Sequence, residues 1–321
     1  MRHYLRALAV CATMIIAGTP LAQDYPSKPV RVLVPYTPGG ITDVVTRITA
    51  LELGKSLGQT FVVDNRPGAN SILAVEMVSK ATPDGYTLGT VIAAHAANQT
   101  LYLKLPYDSV RSFEQVSLIA TAPLIVCATN ALPANSMKDL IDYARANPGK
   151  LSFASSGIGA AAHLTTELLM SATGIKMVHV PYKGTAPALQ DLIGGQVQFM
   201  MDTPSSMLPH VRAGRIKSLG MASEKRIAAA PDLPTLVEQG VPVVGGTWVG
   251  LLAPAHTPKP IVEKLSRVVQ DAMRKPEIKE RFAQLGIEPV GSTPAEFTRF
   301  LKAEVDKWAQ VIRAANVKVE Q

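Results

Sequence analysis

Two short loops carry the residue types that bind anions. The first is Pro38-Gly39-Gly40-Ile41-Thr42-Asp43, which leaves a strand-like apolar run from Val30 and enters a helical pattern that ends at Leu57. Glycine lets backbone amides come close to a ligand, and a helix start has N–H groups with no partner inside the helix. Together they suit a carboxylate or a phosphate. Thr42 adds a hydroxyl, and Asp43 has two readings: a cap for the helix or a ligand contact. The second loop, Ser155-Ser156-Gly157-Ile158-Gly159-Ala160, has the same placement, between a strand at Leu151 to Ala154 and a helix from Ala160 to Met170. Each loop alone also reads as an ordinary turn and cap. As a pair on two α/β units they predict the two walls of one cleft, because ligands of open α/β sheets sit beyond the carboxyl ends of the strands.

Other chemistry is poorly served. Gly157-Ile158-Gly159 lacks the full spaced-glycine nucleotide motif, and neither loop has the lysine–hydroxyl pair of a phosphate loop. His95, His163, His179, His210 and His256 are dispersed, without metal-ligand spacing, so no metal and no cofactor is expected. His163 reads as a packed or helix-surface residue. Ser155 and Ser156 lack the nucleophile-elbow pattern, although a triad needs only spatial proximity. The expectation is therefore a binding protein and not an enzyme, with a hydrolase kept as the lesser alternative. Asp202 ends a strand-like run and precedes Thr203-Pro204; it is read as a turn residue, as a holder of the cleft's polar network, or as an acceptor for a ligand donor. Asp64 and Arg66 are read as shaping a loop.

The elements that must position these loops follow from pattern. Strands at 30–36, 61–63 and 86–93 alternate with helices at 42–57 and 71–80. This predicts right-handed crossovers in a mostly parallel sheet. A second set begins near Leu124, with a helix from 136 to 145 that Ser136 caps with Asp139 as reciprocal partner. Strands near 151–154, 177–180, 197–201 and 216–221 follow, with a short helix at 187–193. Residues 231–246 read as a connector. A strand at 248–253 and helices at 259–274, 276–285 and 294–313 finish the chain, the last started by Thr293, Pro294 and Glu296.

With 321 residues, 47% of them apolar and 18% charged, the chain belongs with folded globular proteins, and two domains fit its length better than one. Residues 1–22 read as a secretory signal: Arg2 and Arg6, an apolar run from Leu8 to Ile16, then a cut after Ala22. That run is too short to span a membrane. Its removal takes formal charge from +7 to +5. The remaining Lys and Arg are interspersed with acids, so no nucleic-acid partner is expected. Cys127 is then the single cysteine; its strand-like surroundings predict a buried thiol and no internal disulfide.

A series of segments in order resembles one family over nearly all of the chain after residue 22. They include Tyr25-Pro26-Ser27-Lys28-Pro29, Pro38-Gly39-Gly40, Asn65-Arg66-Pro67-Gly68 and Pro83-Asp84-Gly85-Tyr86-Thr87-Leu88. Further along come Leu105-Pro106-Tyr107-Asp108, Val178-His179-Val180-Pro181-Tyr182-Lys183-Gly184 and Leu251-Leu252-Ala253-Pro254. This resembles the solute receptors of tripartite tricarboxylate transporters, the Bug family. The resemblance implies an α/β fold like a type II periplasmic binding protein, with two α/β domains around a ligand cleft. The expected division is 23–123 plus 248–321 for one domain and 124–247 for the other. It implies a monomeric receptor in the periplasm that captures a small organic carboxylate for the membrane permease subunits; a sensor protein as output partner is the alternative. By resemblance Pro38, Gly39, Gly40, Thr42 and Asp43 hold a carboxylate, and Ser155, Ser156, Gly157 and Gly159 contribute from the other domain, with Asp202 near the cleft.

The sequence departs from the family pattern in three places. Ile41 stands where a third glycine is usual; it either narrows the pocket or packs away. Ala160, Ala161 and Ala162 replace a threonine and two serines. A polar group left unpaired there loses roughly 1–3 kcal/mol, which argues against a densely polar tricarboxylate. The expected ligand has one carboxylate near Gly39-Gly40 and a less polar distal part, with aromatic groups admitted. Asn70-Ser71-Ile72 replaces Gly-Gly-Asn, so no contact is carried over from that asparagine.

Overall fold

The computed structural model describes residues 25–314 and Val317, so the proposed signal segment lies outside the described residues. The first part of the chain runs β1 (Val30–Val34), α1 (Ile41–Leu57), β2 (Phe61–Asn65), α2 (Ile72–Ser79), β3 (Thr87–Val91), α3 (Ala93–Leu101) and β4 (Phe113–Pro123). The middle runs β5 (Ile125–Thr129), α4 (Met137–Ala146), β6 (Ser152–Ser155), α5 (Ala161–Thr173), β7 (Val178–Pro181), α6 (Thr185–Ile193), β8 (Phe199–Asp202), α7 (Pro204–Arg212) and β9 (Ile216–Met221). The end runs β10 (Gly246–Pro254), α8 (Lys259–Arg274), α9 (Pro276–Gln284), β11 (Glu288–Pro289) and α10 (Pro294–Ala314).

These strands form two sheets. One has the order β11-β4-β10-β3-β1-β2, the other β7-β6-β8-β5-β9. The strand–helix–strand units run parallel as expected, and antiparallel strands make both sheets mixed. β1 is parallel to β2 and β3, and β6 is parallel to β7 and β8, but β10 is antiparallel to β3 and β4, and β5 to β8 and β9. The reason is connectivity. Most strands joined through a crossover helix run parallel, but β5 runs opposite to β6 although α4 joins them; β5 is entered from β4 of the other sheet through Leu124 alone, and β9 returns to β10 without a crossover helix. The chain segments at this passage are tied together: Ala222 N–H donates to the Leu124 carbonyl at 2.8 Å, and Gly245 N–H to that of Ala222 at 2.9 Å.

Burial explains the near-continuous apolar strands. All of β5, and all of β1 except Arg31, is buried, as expected where helices cover both faces. Cys127 lies in β5, is fully buried, and burial pushes its thiol pKa up. The last helix seats against the first sheet: Trp248 meets Phe297 and Phe300 edge-on, and the indole N–H groups of Trp248 and Trp308 both donate to Glu304. The start signals hold in detail. Glu296 N–H donates to Thr293 Oγ1 at 3.3 Å and Thr293 N–H to Glu296 Oε2 at 2.8 Å. At α4 the Asp139 N–H donates to Ser136 Oγ, but the Asp139 carboxylate accepts from Asn135 N–H, one residue earlier than a capping box requires. Arg66 and Arg31 both pair with Asp64 and fix the loop after β2.

Burial keeps His95 neutral, and partial burial does the same for His179. His95 is fully buried between Tyr107 and Phe113, and burial lowers its pKa to about 4 despite a 2.8 Å contact with the Ser109 carbonyl. His179 stacks on His163 at 3.8 Å; burial first, then that neighbour, lowers its pKa to about 3. Below the unfolded value near 6.5 the unfolded chain therefore binds more protons than the folded one. Stability is full above that pH and falls as pH drops from 6.5 toward 4, by roughly 1.4 kcal/mol per pH unit for a fully buried histidine such as His95. Urea unfolding at pH 7 and pH 5 should show this loss, and His95→Gln should reduce it; an equal loss in that variant would contradict the assignment.

Candidate ligand-binding site

A cavity of about 320 Å³ lies between loops of the two sheets. Pro38 to Thr42 line it from the first sheet; Ser156, Ala160, Ala161 and Ala162 line it from the second. Leu124 and Thr247, on either side of the passage between sheets, complete the lining with residues from α6 and α7. A volume near 300 Å³ suits a small organic molecule.

The electrostatics come from backbone. The residues that begin five helices line this cavity: Gly40 before α1, Ile92 before α3, Ala160 before α5, Gly184 before α6 and Thr203 before α7. None of the five has a side-chain cap. Apart from the His95 and Ser206 N–H groups, which donate to the Ile92 and Thr203 carbonyls, their first-turn amides are unpaired within the helix and carry the positive end of each helix dipole. Among the described residues no Lys or Arg lines the cavity. Gly39 takes φ +91°, which a side chain would oppose, and a Cβ added at Gly39 or Gly40 would meet no protein atom within 4 Å.

The candidate residues divide. Pro38, Gly39, Gly40, Thr42, Ser156, Ala160 and Asp202 line the cavity; Asp43, Ser155, Gly157 and Gly159 do not. Asp43 turns back on its own loop. Its carboxylate accepts from Gly39 N–H at 3.0 Å, from Asn65 and from Arg47. Burial would raise its pKa, but these donors hold it below the ordinary carboxylate value. Ser155 is fully buried; its hydroxyl meets His179 Nε2 at 2.7 Å and the Gly157 carbonyl at 3.0 Å, so this serine–histidine pair braces the loop from inside. Gly159 has φ +78° and lies so close to Leu101 that a Cβ would fall 2.2 Å from its Cδ1, a packing role. Gly157 lines an adjoining cavity of about 620 Å³ that shares Tyr36, Thr37 and Ser156 with the first. Ile41 and Ala160 to Ala162 all line the cavity, and Ile41 is also buried in the hydrophobic cluster that contains Val45 and Ile48.

Asp202 holds a polar network. Its carboxylate accepts from Thr185 Oγ1 at 2.8 Å and Thr203 N–H at 2.7 Å, joining the starts of α6 and α7. Burial raises its pKa, and those bonds offset the rise only in part. Thr185, Thr203, Ser206, His210 and Thr247 were missed from sequence as site residues, Thr203, Ser206 and His210 because α7 was not predicted. Its signal was present: Thr203 followed by Pro204 is a cap followed by a first-turn proline. Three buried atoms at the cavity have no hydrogen-bond partner: Tyr36 Oη, His210 Nδ1 and Thr247 Oγ1.

A side-chain hydrogen bond from Asn70 crosses to the second loop. Asn70 Nδ2 donates to the Ile158 carbonyl at 2.7 Å and to Asn98 Oδ1 at 2.8 Å, while Asn98 Nδ2 donates back to the Asn70 carbonyl. Asn70 sits in a left-handed run, with φ of +45°, +49° and +75° at Ala69, Asn70 and Ser71.

Two α/β layers joined by a narrow passage, with helix starts converging on a cavity between them, define a two-lobed solute-binding protein. The sequence profile of the tripartite tricarboxylate transporter family receptor matches residues 45–317, and the chain belongs to that family. The periplasmic binding protein BugD is 37% identical, with a TM-score of 0.86 over 92% of this chain and 100% of that one. Rpa4515 of R. palustris, solved with adipate, is 36% identical with a TM-score of 0.89, covering 92% of this chain and 99% of its own. MatC (Rpa3494) of Rhodopseudomonas palustris, solved with malate, is 33% identical with a TM-score of 0.83, covering 90% and 100%.

The Asn70 contact predicts a shape effect that needs no ligand. Asn70→Gly keeps the left-handed backbone and removes the donor, so small-angle scattering of the unliganded protein should show a larger radius of gyration than the parent. Superimposable profiles would show that the contact does not hold the loops together.

Proposed function

We propose that this chain is a periplasmic receptor that captures a small organic carboxylate and presents the closed, loaded form to the permease subunits of a tripartite transporter. The observation that carries this reading is the convergence of five helix starts without side-chain caps on a cavity lined, among the described residues, by no Lys or Arg. Such a site holds an anion by amide donors and dipoles. The adipate and malate bound by two relatives support a carboxylate as the anion.

The first contact is assigned to the α1 end, where the Gly40, Ile41 and Thr42 amides remain open because Asp43 occupies only the Gly39 amide. The proposed domains are 23–123 with 248–321, and 124–247. The passage at Leu124 and Gly245 is the natural hinge, since a few element-terminal residues absorb domain closure. Closure adds Ser156 and the α5, α6 and α7 starts to the ligand, so binding favours the closed population. A carboxylate held this way needs neither nucleophile nor general base.

Protein purified from the periplasm and then denatured should release a stoichiometric carboxylic acid, identified by mass spectrometry. Release of a non-acidic ligand instead would overturn the reading. Gly40→Phe gives the second check. A side chain there has room, so thermal stability should hold within a few degrees while affinity for the released acid falls by about a hundredfold or more, ~2.7 kcal/mol. Unchanged affinity would remove the first loop from the site.

A further inference from the structure

We infer that the ligand is a hydroxy acid with a single carboxylate, and that Thr247 and His210 recognise its uncharged hydroxyl groups. This rests on the carboxylate reading above and narrows it. Thr247 Oγ1 and His210 Nδ1 are buried at the cavity with no protein partner. Thr247 is only 6% exposed and held in place by strand pairing with Ala122. The threonine hydroxyls that line the cavity from α6 and α7 are engaged: Thr185 bonds Asp202, and Thr203 bonds Asp202, Ser205 and Ser206. Buried polar atoms in folded proteins nearly always have a partner, and a bound ligand supplies it here.

The chemistry of that partner follows from what surrounds it. His210 is kept neutral, its pKa lowered by burial and then by Arg215, so it is no cation. A neutral imidazole nitrogen and a threonine hydroxyl can each face a ligand hydroxyl, which both donates and accepts. A carboxylate only accepts. A second carboxylate would also share the cavity with Asp202, which forms no ion pair among the described residues. The side chains of Ala160 to Ala162 offer methyl groups only, which suits an apolar spacer beside the α5 amides.

Calorimetry with three matched series tests this: butanoate, 4-hydroxybutanoate and succinate; hexanoate, 6-hydroxyhexanoate and adipate; benzoate, 4-hydroxybenzoate and terephthalate. In at least one series the hydroxy acid should bind at least about tenfold more tightly than both of its partners. In the double variant Thr247→Val with His210→Phe that preference should fall to within about threefold, with affinity for the plain acid kept. Thr247→Ser, which retains the hydroxyl, should keep the preference. A dicarboxylate or plain acid that binds as tightly as the hydroxy acid in every series overturns this inference and leaves the carboxylate reading standing. A preference that survives the double variant removes Thr247 and His210 from the role. If none of the nine acids binds, the carboxylate reading falls and this inference with it.

Discussion

In the proposed reading the cavity attracts an anion with, among the described residues, no lysine or arginine on its wall, and most of the architecture answers to that constraint. A single helix start offers only a fraction of a charge, and its influence fades within a turn. Several must therefore converge, and convergence requires that strands of both sheets end at the same place. The first sheet delivers α1 and α3 from the ends of β1 and β3, and the second delivers α5 and α7 from the ends of β6 and β8. The parallel groups within each mixed sheet are the ones that aim these helices.

The passage between sheets is the second requirement. Three chain segments, at Leu124, Ala222 and Gly245, are hydrogen-bonded to one another rather than left as free linkers. This limits the relative motion to bending about one tied bundle. Leu124 and Thr247 lie at once in that passage and in the cavity lining, so a ligand there touches the part of the chain that must move.

Much of this was legible in the residues. The two glycine loops, the helices that follow them and the strands before them are local, and strand-to-helix punctuation reports local structure well. The capping signals at Ser136 and Thr293 led to the right helices. What was hidden depends on long-range placement. Strand direction in β5 and β10 is set by the passage between sheets, which no periodicity records. Asp43, Ser155 and Gly159 have the types expected of ligand contacts, yet Arg47, His179 and Leu101 claim them for the protein itself. Residues such as Thr247 have no local signature at all; only the fold brings them to the cavity.

The contact from Asn70 reaches a backbone carbonyl, that of Ile158, and not a side chain. Every residue type offers that carbonyl. The side chains of the second loop, including Ser156 and the alanines beyond it, are therefore free to drift under selection for different solutes without disturbing the clasp between the lobes. Recognition and the clasp sit on the same loop of this chain but are encoded in different atoms, so its solute contacts can change while the hydrogen bond from Asn70 stays the same.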